Sequence, residues 1–143
     1  MTPEKCQAVR ASFARMKPNQ AQFSEDFLTI LFTMASDLRP MFRDDLSFVK
    51  QHLPFVIEGA IGLLEDLDTL EANMHDLALR HRARNAAPVD FPVVGRALLM
   101  ALEKNVPHGL TPFEVEAWQR AYDILSDTMI KIAYPRTHVT AAE

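Results

Sequence analysis

At 143 residues the chain has the length of one domain with a sizeable core. Hydrophobic residues make up 48% and charged residues 24%, the balance of a soluble globular protein, and a net charge of −4 with no dominant basic stripe excludes a nucleic-acid surface. Cys6 is the single cysteine, which excludes an internal disulfide and fits a reducing, cytoplasmic setting.

The first ten residues are polar and mixed and do not read as a secretory leader. No apolar run approaches the roughly 18 residues of a membrane span. Glycine is scarce, strand-type alternation is absent, and Ala, Leu, Met, Glu and Arg are plentiful, so the composition predicts an all-α fold.

Thr2-Pro3-Glu4 predicts a first helix, with a hydroxyl cap, a proline in the first turn and an acid at the positive end of the dipole. Its buried stripe is Cys6, Val9, Phe13 and Met16, and Pro18-Asn19 ends it. A second helix over 20–35 turns Phe23, Phe27, Ile30, Leu31 and Met34 inward. Leu28 and Phe32 form a neighbouring stripe, so it is apolar over a wide arc. Residues 36–42 read as a short helical turn and 43–45 as a polar link. A long helix over 46–65 carries Val49, Leu53, Val56, Ile57, Ala60, Ile61 and Leu64, with Pro54 inside it to bend it. Asp66-Leu67-Asp68 reads as a turn whose acids face water.

In the next helix Leu70, Met74, Leu77 and His81 recur at spacings of four, three and four, one stripe of an α-helix. His81 therefore ends an apolar stripe just before the link 85–88. A neutral imidazole so placed is a natural metal ligand in a hydrophobic pocket. It is equally a core histidine with its ring N–H on a backbone carbonyl. A helix opening around Pro88 and Pro92 runs to about Asn105, with Phe91 at its start and Val94, Leu98 and Leu102 as its stripe. Pro107-His108-Gly109 is a turn. Thr111-Pro112-Phe113-Glu114 predicts a capping box. The last helix, with Trp118, Tyr122, Leu125, Met129 and Ile132, continues to Ala133, and 134–143 read as a frayed tail after a domain over 1–133. There is no Ser–His–acid order with supporting motifs, no glycine-rich phosphate loop and no Cys-x-x-Cys.

Three motifs in order carry a family resemblance. The helix ending Leu77-Ala78-Leu79-Arg80-His81-Arg82 and the run Phe91-Pro92-Val93-Val94-Gly95-Arg96-Ala97-Leu98-Leu99 resemble the end of helix F and the start of helix G in bacterial single-domain globins, in the globin domain of flavohemoglobins and in neuroglobin-like chains. Ala117-Trp118-Gln119-Arg120-Ala121-Tyr122 resembles the start of the globin H helix. The resemblance covers residues 4–133. It implies a globin fold of six to seven helices in a three-over-three sandwich without a D helix, and heme b (iron protoporphyrin IX) coordinated by His81.

The resemblance further implies that Leu28, Phe32, Phe42, Val49, Leu53, Leu77, Ala86, Phe91, Val94, Leu98 and Tyr122 surround the heme, with Phe42 flat against it. Arg80 and Arg84, with Arg43 and Lys50, are the candidate propionate partners. Two departures matter. At the distal positions Val49, Leu53 and Leu28 offer no hydrogen-bond donor to a bound gas. His52 shares their helix face and either reaches over the iron as a sixth ligand or points outward; a slip in register brings Gln51 there instead. On the proximal side Phe91 and the Ala133 region stand where flavohemoglobin-like chains carry a tyrosine and a glutamate.

The implied function is reversible binding of O2, CO or NO for storage, transport, scavenging or sensing, without a catalytic residue. A redox enzyme is the alternative: a nitric oxide dioxygenase with a separate reductase as partner, a nitrite reductase or a peroxidase. A heme-free globin-like interaction module is the third reading. No nucleic-acid or membrane partner is expected, and the chain is expected as a monomer or homodimer.

Overall fold

The structure, a computed structural model, describes residues 1–42 and 45–135. Among the described residues there are seven α-helices and no strand: α1 (Pro3–Met16), α2 (Gln20–Met34), α3 (Arg39–Phe42), α4 (Leu46–Ile61), α5 (Leu67–Ala83), α6 (Phe91–Asn105) and α7 (Pro112–Ala133). Short 3-10 turns cover Lys17–Asn19, Ser36–Leu38 and Pro88–Asp90. No helix lies between α3 and α4 among the described residues, as expected. No helix among them is long and apolar enough to cross a membrane.

The helices form two layers, α1, α4 and α5 over α2, α6 and α7. Across the layers α1 packs on α7, α4 on α2 and α5 on α7; within the second layer α2 packs on α6. The core is the set of stripes read along the chain, from Cys6, Val9, Phe13 and Met16 through Phe23, Phe27 and Leu31 to Ala117, Trp118 and Ala121. Polar side chains inside it are paired, as burial requires, except Ser24, whose buried hydroxyl on α2 has no partner among the described residues. The Trp118 indole N–H donates to Ser12 Oγ at 2.8 Å, and Ser12 Oγ donates to the Ala8 carbonyl at 2.7 Å. Asn105 Nδ2 donates to Asp26 at 2.9 Å and so ties α6 to α2. Burial pushes the Asp26 carboxyl up, but the bonds from Asn105 and Gln22 outweigh it and hold the pKa below the ordinary value.

The start signals read in the sequence are the caps observed. Thr2 Oγ1 accepts from the Lys5 N–H at 3.2 Å. At α7, Thr111 Oγ1 accepts from the Glu114 N–H at 3.2 Å while Glu114 accepts from the Thr111 N–H at 2.9 Å. Three boundaries differ from expectation. α4 stops at Ile61 rather than 65, because after Gly62 the chain tightens into bonds from Leu63 N to Ala60 O and from Leu64 N to Ile61 O. α5 begins inside the expected turn, because Asp66 is its cap, accepting from the Thr69 N–H at 3.3 Å and the Thr69 hydroxyl at 2.6 Å. Tyr134, expected in the frayed tail, is held by a hydrogen bond described below; 136–143 lie outside the described residues.

Glu114 also meets Arg15 at 2.9 Å. Burial raises its pKa, but the Thr111 N–H and Arg15 outweigh that and hold it below the ordinary carboxyl value. A depressed folded pKa stabilises above the unfolded value, about 4.3, and that stabilisation is lost as pH falls through the folded value. Glu114→Ala should therefore cost about 1–2 kcal/mol at neutral pH. In urea unfolding the gap to the parent should narrow below about pH 4; an equal gap at pH 7 and in acid would contradict this.

Candidate functional site

The site is built on the last turn of α5. His81 lies there, half-buried, and its Nδ1 is 2.8 Å from the Leu77 carbonyl. A carbonyl only accepts, so Nδ1 carries the proton and Nε2 is the nitrogen with a free lone pair. The backbone beneath is locked. Asn85 has φ 67, the left-handed conformation that asparagine tolerates better than most residues. It closes the helix with bonds from Ala86 N to His81 O at 3.0 Å and from Asn85 N to Arg82 O at 2.9 Å, a Schellman motif. Both readings of His81 left open by its spacing meet here: its ring N–H is satisfied by a carbonyl, and the other nitrogen is available.

Three further bonds hold the link between α5 and α6. The Tyr134 hydroxyl donates to the Ala86 carbonyl at 2.7 Å. Arg82 donates to the Ala133 carbonyl at 2.8 Å, with its guanidinium 5.4 Å from the Tyr134 ring centre. The Tyr122 hydroxyl donates to the Phe91 carbonyl at 2.6 Å. Burial, with Asp123 nearby, pushes the Tyr122 pKa well above its ordinary value, so it stays a neutral donor. Phe91 is buried, and its ring centre is 6.3 Å from that of His81. Tyr122 approaches so closely because residue 95 is glycine: a Cβ there would meet the Tyr122 ring at 2.5 Å. Behind this contact is a cavity of about 30 Å3 with an entirely apolar lining that includes Ile57, Leu98, Trp118 and Leu125, the kind of void that stays dry.

The expected apolar contacts fall on the core side of their helices. Leu28 is buried; Phe32, Phe42, Val49, Leu53, Val94 and Leu98 are half-buried and pack against the core, and Leu77 and Ala86 are half-buried beside His81. Phe42 meets Phe32 edge to face at 5.3 Å. Ile57 and Leu125 belong to the same partly buried set; their place in their stripes was the available signal. Tyr134 had no signal, since its partner Ala86 is 48 residues away.

The charged candidates divide. Arg84 is engaged across the molecule, donating to the Met41 carbonyl at 3.1 Å and pairing with Asp45, so it fastens the end of α5 to the α3–α4 corner. Lys50 pairs with Glu25 at 3.2 Å. Arg80 is exposed on the last turn of α5, and Arg43 lies outside the described residues. His52 is exposed. Its Nδ1 donates to the Phe48 carbonyl at 2.9 Å, and its ring stacks on that of Phe48 with centres 4.0 Å apart. Gln51 is exposed as well. No group of three or more His, Cys, Asp or Glu that could hold a metal occurs among the described residues.

The arrangement of the helices defines an α-helical protein of the globin class. The Globin family description matches residues 25–129, and the chain belongs to the globin family. It is 23% identical over 127 residues to a flavohemoprotein of Oceanobacillus iheyensis, covering 87% of this chain and 31% of the relative. It is 36% identical over 74 residues to neuroglobin-2 of Oncorhynchus mykiss, covering 52% of this chain and 46% of the relative. The chain thus spans about a third of the length of the flavohemoproteins it matches. Among solved structures, a bacterial globin from Campylobacter jejuni superposes with a TM-score of 0.83 at 22% identity, over 95% of this chain and 99% of that one. An engineered carbene transferase from Rhodothermus marinus, whose parent bears a provisional name as nitric oxide dioxygenase, gives 0.84 at 21% identity, over 100% of this chain and 99% of that one.

Proposed function

We propose that the chain binds heme b between α4 and α5 through His81 Nε2 and reversibly takes up a diatomic gas on the opposite face. The observation that carries this reading is the His81 imidazole: half-buried, its Nδ1–H on the Leu77 carbonyl, its Nε2 free on a locked helix end. The residues fit the group. His81 Nε2 would hold the iron, and the Nδ1–H bonded to the Leu77 carbonyl fixes the ring and raises its basicity. Phe32, Phe42, Val49, Leu53, Val94 and Leu98 supply apolar walls without a carboxylate, and Arg80, exposed on the last turn of α5, would meet a propionate. When bound, the group supplies iron whose sixth position takes O2, CO or NO.

The distal wall is the chain's own contribution to ligand choice. Leu28, Val49 and Leu53 exclude water and give no hydrogen bond, so this wall does not reward a ligand that develops negative charge. His52, held to the outer face of α4 by Phe48, stays away from the iron in this reading. Storage, scavenging and sensing all remain uses of such a site. A dioxygenase served by a separate reductase is the second reading, favoured by the flavohemoprotein relatives. Phe91 and Ala133 present no hydroxyl or carboxylate side chain to His81, which weighs against it.

The experiment is the anaerobic ferrous spectrum of the parent and of His52→Ala, before and after CO. Both should be five-coordinate and high-spin and bind CO at similar rates. A six-coordinate parent that becomes five-coordinate on substitution would instead make His52 the sixth ligand. CO affinity would then be reduced by the open fraction. Heme that takes up no CO would overturn the gas-binding reading.

A further inference from the structure

The outer face of α4 is not explained by the heme reading, and the inference drawn from it does not depend on that reading. Phe48, Gln51, His52, Phe55, Gly59 and Gly62 lie within an arc of about 100° along four turns. All six are exposed. Phe48 is 55% and Phe55 64% exposed, among the most exposed large apolar residues described. None of the six carries a formal charge at neutral pH, which is unusual for a solvent-facing helix stripe. Glycine inside a helix is unfavourable relative to alanine, yet above Gly59 there is nothing within 4 Å of where a Cβ would be. Nothing within the monomer requires a glycine there.

We propose that this face is the interface of a twofold homodimer, in which α4 packs antiparallel on α4 of a second copy about a dyad at Phe55. A dyad at that residue relates each position to the one equally far on its other side. Phe48 of one copy then falls on Gly62 of the other, and Gln51 falls on Gly59, so large side chains meet the two positions without one. Phe55 meets its own counterpart, an aromatic pair at the centre of the contact. The pattern is therefore complementary to itself in size, as an isologous interface demands.

The area is that of a weak, transient dimer. Aromatic side chains bury about 150–250 Å2 each, so the exposed parts of four phenylalanines come to roughly 500 Å2. That is about two-fifths of the roughly 1,200 Å2 at the lower edge of specific interfaces. The adjoining Val56, 42% exposed, and the two glycine backbones add to it.

The test is sedimentation velocity of the full chain as purified, from about 5 to 500 µM, a range bracketing a micromolar constant. The parent should move from one toward two chain masses across it. Phe55→Glu places two like charges on the dyad and should weaken association at least about 30-fold, with helical circular dichroism unchanged because Phe55 is exposed. In a second measurement, Phe55→Cys under mild oxidation should give a disulfide-linked dimer much faster than Val115→Cys, an exposed control on α7; Cys6 is buried and does not compete. A parent that stays monomeric throughout would overturn the proposal. So would a dimer that survives Phe55→Glu, or a Phe55→Cys chain that links no faster than the control. A monomer whose binding to phosphatidylcholine vesicles is lost on Phe48→Glu would assign the face to lipid and overturn it equally.

Discussion

The His81→Gly chain is expected to fold but to hold heme at least roughly 100-fold more weakly than the parent, and imidazole in the buffer is expected to restore much of the loss. Outer partners of a metal ligand are worth about 10–100-fold in affinity, so the ligand itself is worth more. Folding survives because the helix end depends on the His81 carbonyl and on Asn85, not on the ring. The cost to the helix is the glycine penalty, about 1 kcal/mol. Added imidazole enters the space left by the ring and supplies the same nitrogen. Heme release to an acceptor protein reads the effect. Native retention by the variant would mean that His81 is not the ligand, and loss without rescue would mean that the substitution acts through structure.

Gly95→Ala has the next largest expected effect. The new Cβ would come within 2.5–2.6 Å of two ring carbons of Tyr122, closer than real contacts allow. The ring cannot swing freely, since its hydroxyl is fixed to the Phe91 carbonyl. Either α6 and α7 separate or the bond to Phe91 breaks. Overpacking of this kind costs typically about 1–3 kcal/mol, more than the half to one that replacing a helical glycine recovers. A lower melting temperature by several degrees is expected, along with faster heme loss because Phe91 abuts His81. In a Tyr122→Leu background the same substitution should cost much less. Equal costs in the two backgrounds would show that the ring is not what Gly95 accommodates.

What was legible in the sequence follows the range of the interactions. Caps and stripes are local, so Thr2, Thr111 with Glu114, and the inward faces of α1, α2, α6 and α7 could be read directly, apart from Met34, which the last turn of α2 leaves exposed. The His81 stripe was equally local, and the motifs around Phe91 and Trp118 placed it in a family. The roles of Arg84 and Tyr134 could not be read, because their partners Asp45 and Ala86 are 39 and 48 residues away and each contact exists only once the helices are packed. The end of α4 was missed because an apolar period continues through Leu64 even after the backbone has left the helix. His52 illustrates the limit of a helix-face argument. An arc shared with Val49 and Leu53 also includes the outward direction, and the Phe48 carbonyl and ring, one turn earlier, hold the imidazole there.

The central claim is that His81 Nε2 anchors one heme, and a hemin titration of the parent chain followed by absorbance tests it most directly. The spectrum of a histidine-ligated heme should develop linearly and stop at a single equivalent, and the same titration of His81→Gly without imidazole should give no such end point. A parent whose added hemin keeps the spectrum of free hemin, or that takes it up without saturating, would contradict the account.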